Sequence, residues 1–466
     1  MRGIPAFWLA IGIVVVLAGG LVLAYFGVMA YLRARMSSPA AARMVRSNPQ
    51  VRAAEAAIQA EVTRIKAAGE PVTAAQITLP PVPEAENAAA LYEKAFGAVK
   101  LTEDDRSALA HVLYPRPGSS RDRWIGAARA IVARDRRALD LTYQATARPR
   151  CRFPVEWQEG AAVLLPHLSK MRGLSRLISA QGVLLSIDGD VSRTLQAVRA
   201  GIELGDALAQ EPDEVSQLVR YRLYQDALQA LQAVLSTHRL PAAIGKPLYD
   251  RLAAIQIMGP FKRAALGERA AAVTLYQIAE SDPKRLGITL SPVQKTILPP
   301  AWTLDAARWL PLMSRRITLA DQPYRAVRSQ LMALDVDGRE MGKNESDPVA
   351  QMLFTGFDGW ASSWWEQRDM AIARIGLART ALALRAYQAQ NGSYPASIKV
   401  LHRAIGWRIP QDPFSGRGFV YKREGETALI YSIGPDLQDN GGAPLRGSAS
   451  TESPHWAGDI LWSLSR

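Results

Sequence analysis

The sequence predicts a mainly α protein. It has an N-terminal transmembrane helix, an α-helical bundle or hairpin-stack domain, and a small C-terminal α+β module of one long helix plus antiparallel strands. Three observations carry that reading. An uncharged apolar run occupies Ile4 to Leu32. The middle of the chain repeats apolar residues at helical spacing, broken by short Gly, Pro and Asp turns. After Asn391-Gly392 the pattern changes to strand chemistry. At 466 residues the chain exceeds what one core usually holds, so two or three domains are expected. The expected division is 1–36 as anchor, 37–100 as a helical and proline-rich linker, 101–350 as the helical domain and 351–466 as the α+β module.

The opening run is longer than the roughly 20 apolar residues that a helix needs to cross a bilayer core. Trp8 and Tyr31 stand near its ends, where amphipathic rings favour the membrane interface. A cleaved signal peptide has a shorter apolar region, so residues 4–32 are expected to stay in a lipid bilayer. Arg33, Arg35, Arg43 and Arg46 follow the run and only Arg2 precedes it, which favours a cytoplasmic domain. Long domains often translocate regardless of local charge, and the expectation is an extracytoplasmic one.

Asn48 to Ala68 carries Val51, Ala54, Ile58, Val62 and Ile65 at helical spacing, and Gly69 follows as a helix stop. Pro71 to Pro83 is extended, because each proline fixes φ and biases its predecessor away from helix. From Thr102 to Ile257 helix follows helix: Thr102–Leu113, Ser120–Thr146, Trp157–Ile187, Val191–Gln210, Glu214–Thr237 and Ala242–Ile255. Breaks such as Asp188-Gly189-Asp190 and Glu211-Pro212-Asp213 are short, so neighbouring helices are antiparallel. Phe261–Glu280 and Trp302–Asp335 read as helices on either side of a proline-rich passage, Pro292 to Pro300. Trp302, Trp309, Trp360, Trp364 and Trp365 gather here and are expected to fill a core. Ser362–Gln390 shows one apolar stripe, Met370, Ala373, Leu377, Ala381 and Leu384, flanked by Arg374 and Arg385. Strands are expected at Gly418–Lys422, Thr427–Ser432 and Asp459–Ser463.

Composition excludes several functions. Cys151 is the only cysteine, so no intramolecular disulfide forms. The net charge of +13 comes from arginines scattered through helices and not clustered with aromatics, so no nucleic-acid partner is expected. No phosphate-binding loop, nucleophile elbow or zinc motif occurs, and the five histidines share no ligand spacing. Glu156 and Glu159 lie near His167 in sequence, but acids beside Trp157 read first as charges at a helix N-terminus.

The tail carries the most specific motifs. They are Asn391-Gly-Ser-Tyr-Pro395, Asp412-Pro-Phe414, Tyr431-Ser-Ile-Gly-Pro-Asp436, Asp439-Asn-Gly-Gly442 and Gly458-Asp-Ile460. In that order they resemble the C-terminal domain of type II secretion major pseudopilins, over about Ile372 to Leu464. The resemblance implies a long helix on a small antiparallel sheet and a calcium-binding loop between the last strands. Matching to the family motif carries the ligand role to Asp436, Asp439 and Asp459. Pseudopilins use the helix itself as anchor with an early Glu, whereas no acid occurs here between Arg2 and Ala54. Pilus assembly is therefore not implied. With Glu86-Asn-Ala-Ala-Ala-Leu-Tyr92 and Cys151-Arg-Phe-Pro154, the whole chain also resembles uncharacterised single-pass bacterial membrane proteins. These resemblances imply a location in the bacterial inner membrane. The expected function is a non-enzymatic scaffold or interaction protein of the envelope, linked to secretion and contacting protein partners. The alternative is an envelope hydrolase with a site between the helical domain and the Trp-rich segment.

Overall fold

Local end-capping chemistry sets many of the helix boundaries in the computed structural model, which describes residues 47–77, 79–115, 122–342, 360–447 and 456–464. Helix α1 (Pro49–Ala67) starts where the Asn48 side chain accepts from Gln50 N–H at 2.8 Å, and Gly69 at φ 69° ends it. After α2 (Ala89–Ala98), α3 (Glu103–Leu113) opens with a capping box. Asp105 N–H donates to Thr102 Oγ1 at 3.2 Å and Thr102 N–H to Asp105 Oδ2 at 2.8 Å.

The helix expected over Ser120–Thr146 is two helices, α4 (Asp122–Arg134) and α5 (Arg136–Thr146). Asp135 leaves helical geometry between them and accepts from Lys100 N–H at 3.2 Å. That side-chain bond to another segment compensates for the broken helix. Next come α6 (Pro166–Ile187), α7 (Val191–Asp206), α8 (Glu214–Thr237), α9 (Ala242–Ala253) and α10 (Met258–Ser281). Asp190 and Asp213 cap α7 and α8 through Arg193 N–H and Ser216 N–H.

Helices α6, α7 and α8 pack as a trio whose contact surface is made of small residues. A Cβ on Gly182 would come within 2.8 Å of Ala230 Cβ, and one on Gly201 within 2.8 Å of Ala227 Cβ. Helices α6 and α7 therefore both approach α8 more closely than larger side chains permit.

Helix α11 (Gln294–Leu319) differs from expectation, because it continues through Pro299, Pro300 and Pro311. Each proline removes one i→i−4 bond. The helix is held instead by tertiary packing: Trp302, Trp309, Leu310 and Met313 form a second core with Ile65 of α1 and Leu275 of α10. Helix α12 (Tyr324–Gly342) leads to α13 (Trp360–Asn391), which is buried on nearly all sides and not along one stripe. The flanking arginine Arg385 is fully enclosed and donates to Leu235 O and Gln388 Oε1. A short helix that periodicity did not announce, α14 (Ile398–Ile405), starts at Ser397 and stops at Gly406 in the left-handed region.

The sheet has order β1-β2-β3, with β1 (Val420–Glu424), β2 (Thr427–Ser432) and β3 (Ile460–Leu464) antiparallel. Val420 pairs with Tyr431 and Ala428 with Leu464. The sheet buries Ile430, Ile460 and Leu464 against α13. One hydrophobic core extends from Ala88 through α13 to Leu464.

The transmembrane part of the expected fold class is corrected. Residues 4–32, read as bilayer-spanning, lie outside the described residues. Among the described residues no helix is long and apolar enough to cross a membrane. The longest, α13, has Arg368, Asp369, Arg374, Arg379 and Arg385 spread along it, which a bilayer core does not accommodate. The fold class is mainly α with a small three-stranded antiparallel sheet. A membrane, single-pass character and an inner-membrane location find no support in the structure.

Candidate functional site

Polar or concave features gather at three places: the junction of the helical core with the tryptophans, the terminal loop, and a cleft beside α1. At the junction, buried ionisable groups converge. Arg316 of α11 pairs with Glu214 at the start of α8, and both side chains are almost wholly enclosed. The guanidinium also lies 5.4 and 5.6 Å from the ring centroids of Trp364 and Trp365. Glu268 accepts from Glu214 N–H at 3.1 Å. Burial first, then the charges of Asp213 and Glu214, push its carboxyl far above the usual range. Further along α12 and α13, Tyr324 Oη donates to Glu366 Oε1 at 2.8 Å, and burial raises the Glu366 carboxyl to about 7.

His167 does not meet Glu156 or Glu159. Its Nε2 lies 2.9 Å from Glu211 Oε1, and Phe153 stacks on its ring at 4.4 Å. Glu159 instead pairs with Arg285 at 3.0 Å on the surface. Glu211 lies in the Glu211-Pro212-Asp213 break, where sequence signals only a turn. Its partner is 44 residues away, which no spacing rule links. Hydrolysis needs a substrate and water within hydrogen-bond reach of such groups. His167, Glu211 and Glu214 are buried, and the cleft described below is lined by other residues.

The terminal loop brings Asp436, Asp439 and Asp459 together. Asp436 Oδ2 accepts from Gly458 N–H and from Asn440 Nδ2, both at 2.9 Å. Asp439 Oδ1 accepts from Tyr431 Oη at 3.0 Å and from Gly441 N–H at 2.9 Å. Asp459 is buried, with Oδ1 taking Asn440 N–H and Oδ2 taking Gly442 N–H at 2.7 Å. Its burial, together with the Asp439 and Asp436 charges, holds its carboxyl above the usual range against those N–H bonds. The oxygens fit calcium in kind, being carboxylates on one loop. As placed they cap main-chain turns, and among the described residues no three acidic, His or Cys side chains are grouped to hold a metal ion. Gly434, at φ 72°, sits so close to Gly458 that a Cβ would lie 2.2 Å from its carbonyl oxygen.

The cleft holds about 460 Å³ between α1, α10 and α11. Ile58 and Val62 form one wall, Val273 and Tyr276 another, and Trp302 and Trp309 the third. Its rim is fastened: Arg269 Nη2 donates to Glu70 Oε2 at 2.7 Å, and Ala74 N–H to Thr274 Oγ1 at 2.8 Å. Gln76 Oε1 accepts from Val72 and Thr73 N–H, which closes the turn over the end of the cleft. Trp302, Trp309, Trp364 and Trp365 are buried, as expected, and the first two also line this opening.

Comparisons with protein-family models, with curated proteins and with solved structures returned no match.

Proposed function

We propose that this chain is a non-enzymatic interaction scaffold in which a rigid stack of helical hairpins presents the α1–α10–α11 cleft to a protein partner. The observation that carries the reading is the cleft itself: open, walled by aliphatic side chains and two tryptophans, and fixed at its rim by an ion pair and side-chain-to-backbone bonds. Such a concavity suits an apolar anchor side chain of a protein partner, the kind of contact that dominates interface energetics. Lys66 and Glu280 at the rim place both signs of charge around it, as in interfaces with an apolar centre and a polar edge. The hydrolase alternative draws less support, because the converging acids and His167 are spent on structural partners.

The test is Ala306→Trp, which fills the cleft from a half-buried position on α11. A protein partner recovered on the wild-type chain and lost from the variant, with melting temperature unchanged, supports the reading. The same partners on both chains, or turnover of hydrolase substrates by the wild type, overturns it.

The pseudopilin-like character of the tail belongs to the same proposal. A long helix lying on a three-stranded antiparallel meander supports it. A calcium ion held by Asp436, Asp439 and Asp459 is proposed on that resemblance and on Asn440, which bonds to both Asp436 and Asp459.

A further inference from the structure

The cleft beside α1 repeats along its length, which a single anchor side chain does not exhaust. Ile58, Val62 and Lys66 line it from α1 at steps of four residues, and Val273, Tyr276 and Glu280 from α10 at steps of three and four. Pro299, Trp302, Ala306 and Trp309 follow along α11 in steps of three, four and three. These are the spacings of one helix face each, so the opening is a trough between three helices. At roughly 1.5 Å per residue the α1 wall is about 12 Å long and the α11 wall about 15 Å, between two and three turns. Its volume of about 460 Å³ is about three times the roughly 150 Å³ that holds a benzene ring. There is room for about three large apolar side chains.

The walls have little to give an unpaired backbone. The N–H groups of Val72 and Thr73 go to Gln76 Oε1 and that of Ala74 to Thr274 Oγ1, while Thr303 Oγ1 donates to Pro299 O at 3.0 Å. Along α1, α10 and α11 the main-chain N–H groups are bonded within their own helices. An extended segment lying here would leave its own N–H and C=O groups against mostly apolar walls, which is costly. A helix brings those groups already paired. Charge then narrows the choice. Lys66 and Glu280 are the two charged residues that line the trough, and they stand exposed on different walls. Among the described residues neither side chain has an ion-pair partner.

We propose that the trough docks an amphipathic helix of a protein partner, with apolar side chains at i, i+3 or i+4, and i+7 seated between α1, α10 and α11. Acidic residues flank that stripe on the side of Lys66, and basic residues on the side of Glu280. The inference rests on the reading of the cleft as a protein-docking site, and it adds the form and charge pattern of what docks.

The test is a fluorescence-anisotropy titration of the full chain with a labelled, helix-stapled peptide of roughly 18 residues, or five turns. The peptide carries a leucine stripe with Glu along one flank and Lys along the other. Saturable binding is expected, about tenfold or more tighter than that of a peptide of the same composition with its stripe scrambled. A peptide with Glu on both flanks should bind the wild type more weakly, because one flank then faces Glu280. Glu280→Lys, an exposed change, should reverse that order, which a general loss of stability would not do. Ala306→Trp should remove binding of every peptide. No binding, equal affinity for striped and scrambled peptides, or an unchanged order in Glu280→Lys overturns the proposal. So does binding of laurate without any peptide, which marks a lipid site, or self-association lost in Ala306→Trp, which marks a second copy. If a protein partner is recovered on the wild type and lost from Ala306→Trp while no helical peptide binds, this inference falls and the docking reading of the cleft stands. If partner and peptide are both indifferent to Ala306→Trp, the two fall together.

Discussion

Glu214 and Arg316 are 102 positions apart in sequence, yet they form an ion pair from which solvent is excluded on both sides. The pair ties the first turn of α8 to α11 and sets the guanidinium against Trp364 and Trp365. Its worth lies in completeness. Each charge offsets much of the cost of burying the other.

Removing one partner should therefore be severe. Arg316→Met removes the ion-pair partner of Glu214 and is expected to cost about 3–5 kcal/mol in urea unfolding. The double variant Glu214→Leu/Arg316→Met should recover much of that loss, since apolar replacements leave no buried charge. Additive losses in the double-mutant cycle would show that the two residues are not coupled.

Glu366 should make stability depend on pH. Its folded carboxyl titrates at about 7 against 4.5 for the ordinary side chain, because burial disfavours the anion. Below pH 4.5 it is protonated in both folded and unfolded chains. Between 4.5 and 7 the folded form holds more proton, so this contribution is lost as pH rises and is flat above 7. Glu366→Gln should remove a component falling by up to about 1.4 kcal/mol per pH unit in that window. Identical pH profiles for variant and wild type would refute this assignment.

Gly267→Ala tests packing against propensity. An alanine inside α10 would ordinarily favour the helix by up to about 1 kcal/mol. Here its Cβ would fall 1.8 Å from Pro212 O, a main-chain atom that cannot swing aside. The net effect should be destabilising by about 1–3 kcal/mol, seen as a lower melting temperature. A rise in melting temperature would mean that the Pro212 turn yields freely.

Calcium at the terminal loop predicts a higher melting temperature in calcium than in chelator. Asp436→Ala combined with Asp459→Ala should abolish the difference. If neither calcium nor chelator moves the wild-type transition, the three aspartates act only as turn caps.

Much of the local structure was legible because its causes are local. The bounds of α8, Glu214–Thr237, and of β2, Thr427–Ser432, follow from apolar period and cap chemistry. Errors arose where distant contacts overrode those rules. Asp135 breaks a helix to reach Lys100, and α11 tolerates prolines because α1 and α10 pack on it. Of the candidate site, the three loop aspartates were legible from the motif order. The cleft was not, since its walls come from segments more than 200 residues apart.

By itself, then, the sequence determined a helical protein with a short antiparallel sheet at its end, one cysteine and no known catalytic motif. Only the tertiary structure decided that α13 is buried on nearly all sides, that His167 belongs with Glu211, and that Arg316 pairs with Glu214. Periodicity reports which face of an element is apolar. Which charges meet inside depends on how faces from remote parts of the chain pack, and no single segment carries that information.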